Sequence, residues 1–272
     1  MTRAARDLLD GFSRFGAVDT ACFLGQWPYR LHAAADADDL RGHAARHGLT
    51  GVWVSHLAAL FGFDTRTGNE VCWGACAGDA VLHPFAVLDP RDGAWREELA
   101  WAADTGFAGI RVAPGFHGCR AVDAGALIDA CAAAGLPLQL IVRLDDARSR
   151  HPMSSSRELE LRDIADLIRS APPHPLVISG LNRAEYGEVA RHLADDVPAW
   201  VRFDLWHVNG PLGVAKLLGE DPGRWVFGSG FPVQEPVPTA LQLAASGLDD
   251  AALAAITRGN AEQMPLRRGP TR

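Results

Sequence analysis

Apolar residues along this chain come in short, nearly unbroken runs, separated by longer stretches in which they recur every three or four positions. The runs cover 17–24, 51–55, 82–88, 109–113, 138–142, 176–179, 201–204 and 225–228, and are rich in Val, Ile and Phe. A strand that is apolar at almost every residue is buried on both faces, as in a parallel sheet; a strand with one wet face alternates instead. The amphipathic stretches between them predict helices over 37–47, 69–77, 94–104, 123–134, 158–170, 184–193, 212–218 and 238–245. Several of these stop at glycine or proline, as helices do: His47-Gly48, Thr105-Gly106 and Ala134-Gly135-Leu136-Pro137. Eight strand–helix alternations in about 250 residues predict an α/β fold, a single (β/α)8 TIM barrel. A doubly wound sheet is the alternative, but no glycine-rich nucleotide fingerprint follows an early strand. No linker, low-complexity tract or repeat divides the chain. The expectation is one domain over 1–272, with 1–14 as an N-terminal extension and 265–272 as a flexible tail.

Composition narrows the functional classes. A formal net charge of −7 argues against nucleic acid, which needs a basic footprint. Lys216 is the one lysine against abundant arginine, a bias that fits GC-rich bacterial coding. The five cysteines (Cys22, Cys72, Cys76, Cys119 and Cys131) form no CxxC pair, which speaks against structural zinc or a disulfide framework and for a reducing compartment. The N-terminal stretch lacks the apolar core of a signal peptide, and no run of eighteen apolar residues exists to span a membrane. A soluble, cytoplasmic protein acting on a small molecule, with no nucleic-acid or membrane partner, is the expectation. A homodimer is compatible with this size, although no interface is legible.

In a barrel, chemistry sits where the strands end and in the loops that follow. Arg111 stands inside the fourth run and is read as ending its strand, and His117 stands in the loop after it. Arginine forks onto carboxylates and histidine titrates near neutrality, so the pair suits anion binding with proton transfer. The plainer reading is an ion pair inside the barrel and a loop hydrogen bond. After the fifth run, Arg143, Asp145, Arg148 and His151 crowd into nine residues. Two guanidiniums with a carboxylate between them can clamp an anion while His151 moves a proton; a self-satisfied network ordering a long loop is the competing account. After the seventh run, Asp204 and His207 form a candidate base-and-orienter pair. His56 ends the second run and is a weaker substrate-contact candidate. Cys22, by period-two alternation, faces away from the barrel interior, which favours a buried thiol over a nucleophile. Ser229 has no nucleophile elbow around it, so a serine triad is rejected.

Several segments together resemble the amidohydrolase-related (amidohydrolase 2-like) TIM-barrel family. VDTACFLGQWP resembles its opening strand, GVWVSHLAALFGFDTRTGNE its second strand and the approach to the helix, and FAGIRVAPGFHG its Gly-Ile-Arg segment. GLPLQLIVRLDDARSRHP is similar to its fifth strand, RWVFGSGFP to its eighth and ITRGNAEQM to its closing helix, so the likeness spans roughly residues 15–265. The resemblance implies hydrolase or decarboxylase chemistry on a divalent ion held by two opening imidazoles, imidazoles ending strands five and six, and an aspartate ending strand eight. Here those positions carry Ala21, Phe23, Ile141, Ser179 or a neighbour, and Gly230. A methyl, a phenyl, a sec-butyl and a hydrogen do not ligate zinc.

Three hypotheses follow. The first is a metal-independent and cofactor-free hydrolase or lyase acting by acid–base chemistry on a small carbonyl- or carboxylate-bearing substrate. His117, His151, Asp145, His207 and Asp204 would be its catalytic groups, and Arg111, Arg143, Arg148, His56, Phe23 and Trp27 its substrate contacts. The second is a non-catalytic ligand- or partner-binding barrel. The third is a metal enzyme with relocated ligands drawn from His56, His117, His151, Asp204 and His207.

Overall fold

The first apolar run folds as β1 (Val18–Gln26), whose first seven residues are all buried. In the computed structural model, residues 2–31, 33–61, 64–148, 150–208 and 210–267 are described, with the side chains of 211–213 excepted. The short β2 (Ala34–Ala35) pairs antiparallel with the end of β1. The other runs follow as β3 (Gly51–His56), β4 (Leu82–Val87), β5 (Gly109–Val112), β6 (Leu138–Ile141), β7 (Leu176–Ser179), β8 (Val201–Asp204) and β9 (Trp225–Val226). Their order is β2-β1-β3-β4-β5-β6-β7-β8-β9, and every pair after the first is parallel. The sheet curls until the segment after β9 returns to β1. Thr20 N donates to Phe227 O at 2.9 Å, Gly230 N to Ala21 O at 2.8 Å and Phe23 N to Phe231 O at 2.9 Å. The expected α/β barrel is the fold the chain adopts.

Alternation along each strand divides the buried side chains cleanly. Val52, Val54, Ile110, Leu140, Ile178 and Phe203 face the surrounding helices. Between them, the inward positions build three layers, as barrel interiors do. Val18, Trp53, Phe85, Val177 and Val226 fill the lower end. Ser55, Arg111, Gln139, Ser179 and Asp204, all buried, make a polar middle layer. Phe23, Leu57, Val87, Ala113, Ile141 and Trp206 close the upper end. Cys22 lies on the helix side of β1, as its alternation requires.

The elements depart from expectation where a cap or strap is involved. The helix placed over 69–77 spans Thr65–Cys76, because Asp64 accepts hydrogen bonds from Arg66 N and Thr67 N and starts it four residues early. The helix placed over 158–170 spans Leu161–Ser170. The residues before it are held away from helix geometry, with Arg157 N bonded to Gly115 O at 2.9 Å. The stretch 1–14, expected as an extension, carries a helix over Arg3–Ser13, and Phe12 packs on Phe227 with ring centroids 5.0 Å apart. Of the tail expected over 265–272, residues 268–272 lie outside those described, as does His32. No described helix is long and apolar enough to cross a membrane.

Candidate functional site

At the centre of the mouth the side chains are apolar and fully packed. Phe23 is inaccessible, its ring centroid 6.2 Å from that of Trp206. Trp27 is buried against Tyr29 at 5.1 Å and Phe61 at 5.4 Å. Ile141 joins the same cluster. Gly230 lies directly under the Trp206 indole: a Cβ there would stand 1.6 Å from Trp206 Cε3. Of these, Phe23, Ile141 and Gly230 stand at positions where the family resemblance implies ligands to a divalent ion. They offer hydrocarbon instead of donor atoms, and Trp206 fills the space over residue 230, so the residues present do not fit such a group.

Arg111 belongs to the middle layer. Its Nε donates to Gln139 Oε1 at 2.6 Å, Nη1 to Cys22 O at 2.9 Å, and Nη2 to Thr20 O at 2.8 Å and Trp53 O at 3.0 Å. Its guanidinium lies 5.0 Å from the Phe23 ring centroid, beneath the apolar plug. Burial pulls its pKa down to about 10, with the neighbouring carboxylates Asp19 and Asp204 opposing. The expected substrate contact is therefore turned inward and committed to protein acceptors. Asp204 is its neighbour in the layer: Oδ2 accepts from Ser179 Oγ and Oδ1 from Gly180 N at 3.0 Å. Burial, only partly offset by those two donors, raises its pKa to about 7. The carboxylate is spent on Ser179 and Gly180 rather than on His207, so the expected base-and-orienter pair does not form.

The other histidines are dispersed. His56 is half-buried, with Nδ1 accepting from Ala58 N at 3.1 Å, and burial lowers its pKa. His117 is buried on a one-turn helix, Pro114–His117, with Nδ1 4.0 Å from Asp89 Oδ1; burial lowers its pKa also. His151 is exposed, stacked on Tyr29 at 5.6 Å, and accepts from Met153 N at 3.1 Å. They and Asp204 do not assemble into the relocated metal site. Among the described residues, one group of three or more His, Cys, Asp or Glu side chains has its ligand atoms within 4.8 Å of one another: Asp19, Cys22 and His43. It lies behind β1, on the helix side. Asp19 accepts from His43 Nε2 at 3.0 Å, Ala21 N at 3.1 Å and Ser229 N at 2.9 Å. Burial would raise its pKa, but these bonds outweigh burial and hold it below the ordinary value. Asp19 thus joins β1 to the helix Ala37–His47 and to the segment that closes the barrel.

Beside the plug, the loops after β6, β7 and β8 open a polar cleft of about 470 Å³ lined by Arg143, Asp146, Arg148, Glu158, Glu185 and His207, with Asn182 and Arg183 at its edge. Arg143 is buried and its Nη2 donates to Glu158 Oε2 at 2.8 Å and Glu185 Oε1 at 2.5 Å. Asp145 is buried and accepts from Arg150 Nε at 3.0 Å. Arg148 is 86% exposed and pairs with Asp146 at 2.6 Å. His207 is buried, with Nε2 3.3 Å from Gln234 Nε2. Burial, then the positive charge of Arg143, draws its pKa down to about 4, so the imidazole is neutral at pH 7.

Of the residues singled out in sequence, Arg143, Arg148 and His207 line this cleft, and Asp145 supports it through Arg150. Sequence reasoning passes over Glu158, Glu185, Arg150 and Arg183. A signal for Glu185 does exist: Asn182 and Glu185 have capping-box spacing. One Glu185 oxygen accepts from Asn182 N at 2.9 Å, which leaves the other for Arg143.

No protein-family model matches the sequence, and no curated protein sequence matches it. Solved structures do. A 2,6-dihydroxybenzoate decarboxylase from Rhizobium superposes with a TM-score of 0.65 at 15% identity, covering 92% of this chain and 98% of its own. A 5-carboxyvanillate decarboxylase from Sphingomonas paucimobilis gives 0.66 at 11% identity, covering 92% and 99%. A proposed 2-pyrone-4,6-dicarboxylic acid hydrolase from Pseudomonas putida gives 0.63 at 17% identity, covering 92% and 97%. These similar structures are amidohydrolase-superfamily proteins, the group to which the sequence segments pointed, and at such identities the likeness is one of fold.

Proposed function

We propose that this chain is a metal-independent hydrolase or lyase for a small carboxylate-bearing substrate, and that its site is the cleft beside the plugged barrel centre. The observation that carries this reading is the placement of a buried, neutral imidazole, His207, in a guanidinium-lined cleft at the strand ends. Superposable folds host decarboxylases and hydrolases, and their named substrates include aromatic and pyrone carboxylates. In this reading the arginines bind the carboxylate and orient the substrate. A neutral imidazole can accept a proton from a substrate hydroxyl or a water molecule. Its low pKa makes it a weak base in the free protein. A bound anion beside it favours the imidazolium and raises that pKa toward the working range.

The test is turnover of 2,6-dihydroxybenzoate or 2-pyrone-4,6-dicarboxylate in the presence of a chelator, with the His207→Gln variant alongside. The expected result is chelator-resistant turnover that falls by about 100-fold in the variant, the lower range for loss of a general base. Turnover that appears only on adding a divalent ion would overturn metal independence. A second reading, a non-catalytic binding barrel, is favoured by the packed mouth and by the mutual pairing of Arg143 with Glu158 and Glu185. Saturable binding of these carboxylates with no turnover is its expected signature.

A further inference from the structure

Within the cleft, one carboxylate of the chain itself already sits as a bound organic acid would. Glu158 lies in the irregular stretch before the helix Leu161–Ser170, and its side chain is 42% exposed. Its two oxygens meet two different guanidiniums: Oε2 accepts from Arg143 Nη2 at 2.8 Å and Oε1 from Arg150 Nη2 at 2.6 Å. Both arginines are largely enclosed, and each has a second partner that is fixed. Arg143 is held by Glu185, itself locked in the capping box, and Arg150 by Asp145, which is buried. Of the three carboxylates on this arginine pair, Glu158 is the most exposed. Glu185 is carried by the helix Arg183–His192, whereas Glu158 and Asp145 sit in segments with neither helix nor strand geometry, and of those two Glu158 is by far the more exposed.

We propose that Arg143 and Arg150 form a binding site for the carboxylate of a small organic anion, entered by displacing Glu158, which acts as a built-in competitor. This rests on reading the cleft as the substrate site, and it names the substrate's anchoring group. The exchange is balanced. One carboxylate leaves and one arrives, so the count of charges is unchanged and both charge-assisted hydrogen bonds are remade. Leaving the pair without any third carboxylate would instead strand two N–H donors in a poorly hydrated place. Selectivity for carboxylates over neutral isosteres follows from the same geometry, since each oxygen must accept from a different guanidinium.

The experiment is chemical rescue in the full chain, with acetate as the probe and thermal unfolding as the readout, sodium chloride matching the ionic strength. In Glu158→Ala, acetate is expected to raise the melting temperature with an apparent affinity at least about tenfold tighter than in the wild type, because two charge-assisted bonds become available to it. Acetamide should do nothing, and Glu158→Ala/Arg150→Ala should lose the acetate response. Glu158→Gln, which keeps the shape and one acceptor, guards against a folding defect and should respond to acetate between the two. An equal acetate response in wild type and Glu158→Ala, or none in either variant, would overturn the proposal. Turnover is read separately. Acetate rescue without turnover of any carboxylate removes the enzymatic reading and keeps this site, and turnover without rescue does the reverse.

Discussion

Gly230→Ala is expected to lower the free energy of unfolding by about 3–5 kcal/mol, from left-handed strain and overpacking together. Gly230 has φ +74°, where an alanine is strained whatever the space around it. Its added methyl would also stand 1.6 Å from Trp206 Cε3 and 2.1 Å from Cζ3, inside a ring that is itself buried. Gly247 supplies the control. It has φ +76°, but a methyl added there would meet nothing within 4 Å, so Gly247→Ala reports the conformational part alone, about 1–2 kcal/mol. Urea denaturation of the two variants separates the contributions. If Gly230→Ala unfolded within about 1 kcal/mol of Gly247→Ala, the indole would not be packed over residue 230 as described. The same contact governs any attempt to restore the eighth-strand carboxylate that the family resemblance implies. Gly230→Asp must expel Trp206 before it can offer an oxygen to anything, so it should be at least as destabilising as the alanine.

This coupling between residues 206 and 230 explains what the chain discloses in advance and what it hides. The barrel is legible because its strands are buried on both faces and its helices stop at glycine or proline, both local signals. The loss of donor atoms at Ala21, Phe23, Ile141 and Gly230 is legible too, since it needs only residue identity. What replaces them is not, because Trp206 reaches Gly230 across the mouth and no spacing encodes that. Arg111 reads as a mouth residue because it is the charged residue near the end of a short buried strand. Counting inward positions from Ala113 places it one layer down, beneath Phe23, where it joins Gln139 and Asp204. The cleft is half legible: Arg143, Arg148 and His207 stand out, but from separate strand ends. Glu158 escapes because the apolar pattern puts it at the start of the helix expected over 158–170, and Glu185 because it lies in the first turn of its helix; in either place a glutamate needs no other explanation.

The second large effect is a pH dependence carried by Asp204. The carboxyl lies at the barrel's middle layer with a pKa near 7 when folded, against an ordinary 3.8, and burial is the main cause. Below 3.8 both states hold the proton, and the folded form keeps its full advantage. Between 3.8 and about 7 the unfolded chain releases the proton while the folded chain retains it, so unfolding becomes progressively easier as pH rises. Above about 7 both states are ionised and the loss levels off. The interval corresponds to about 4 kcal/mol at most, less to the extent that water or local relaxation reaches the carboxylate. Asp204→Asn keeps an oxygen to accept from Gly180 N, turns an amide N–H toward Ser179 Oγ, which can accept it, and removes the ionisation. Relative to the wild type, it should therefore be close to neutral at about pH 4 and stabilising by about 2–4 kcal/mol at about pH 8. Denaturant unfolding of both proteins across that range gives the difference directly, and other titrating groups cancel in the subtraction. A difference that stays flat across the range would mean that Asp204 is ionised throughout and that Arg111, its cationic neighbour in the layer, neutralises it after all. A rising difference would establish a proton stored beneath the apolar plug, where the Ser179 hydroxyl and the Gly180 amide are its carboxyl's only direct donors among the described residues.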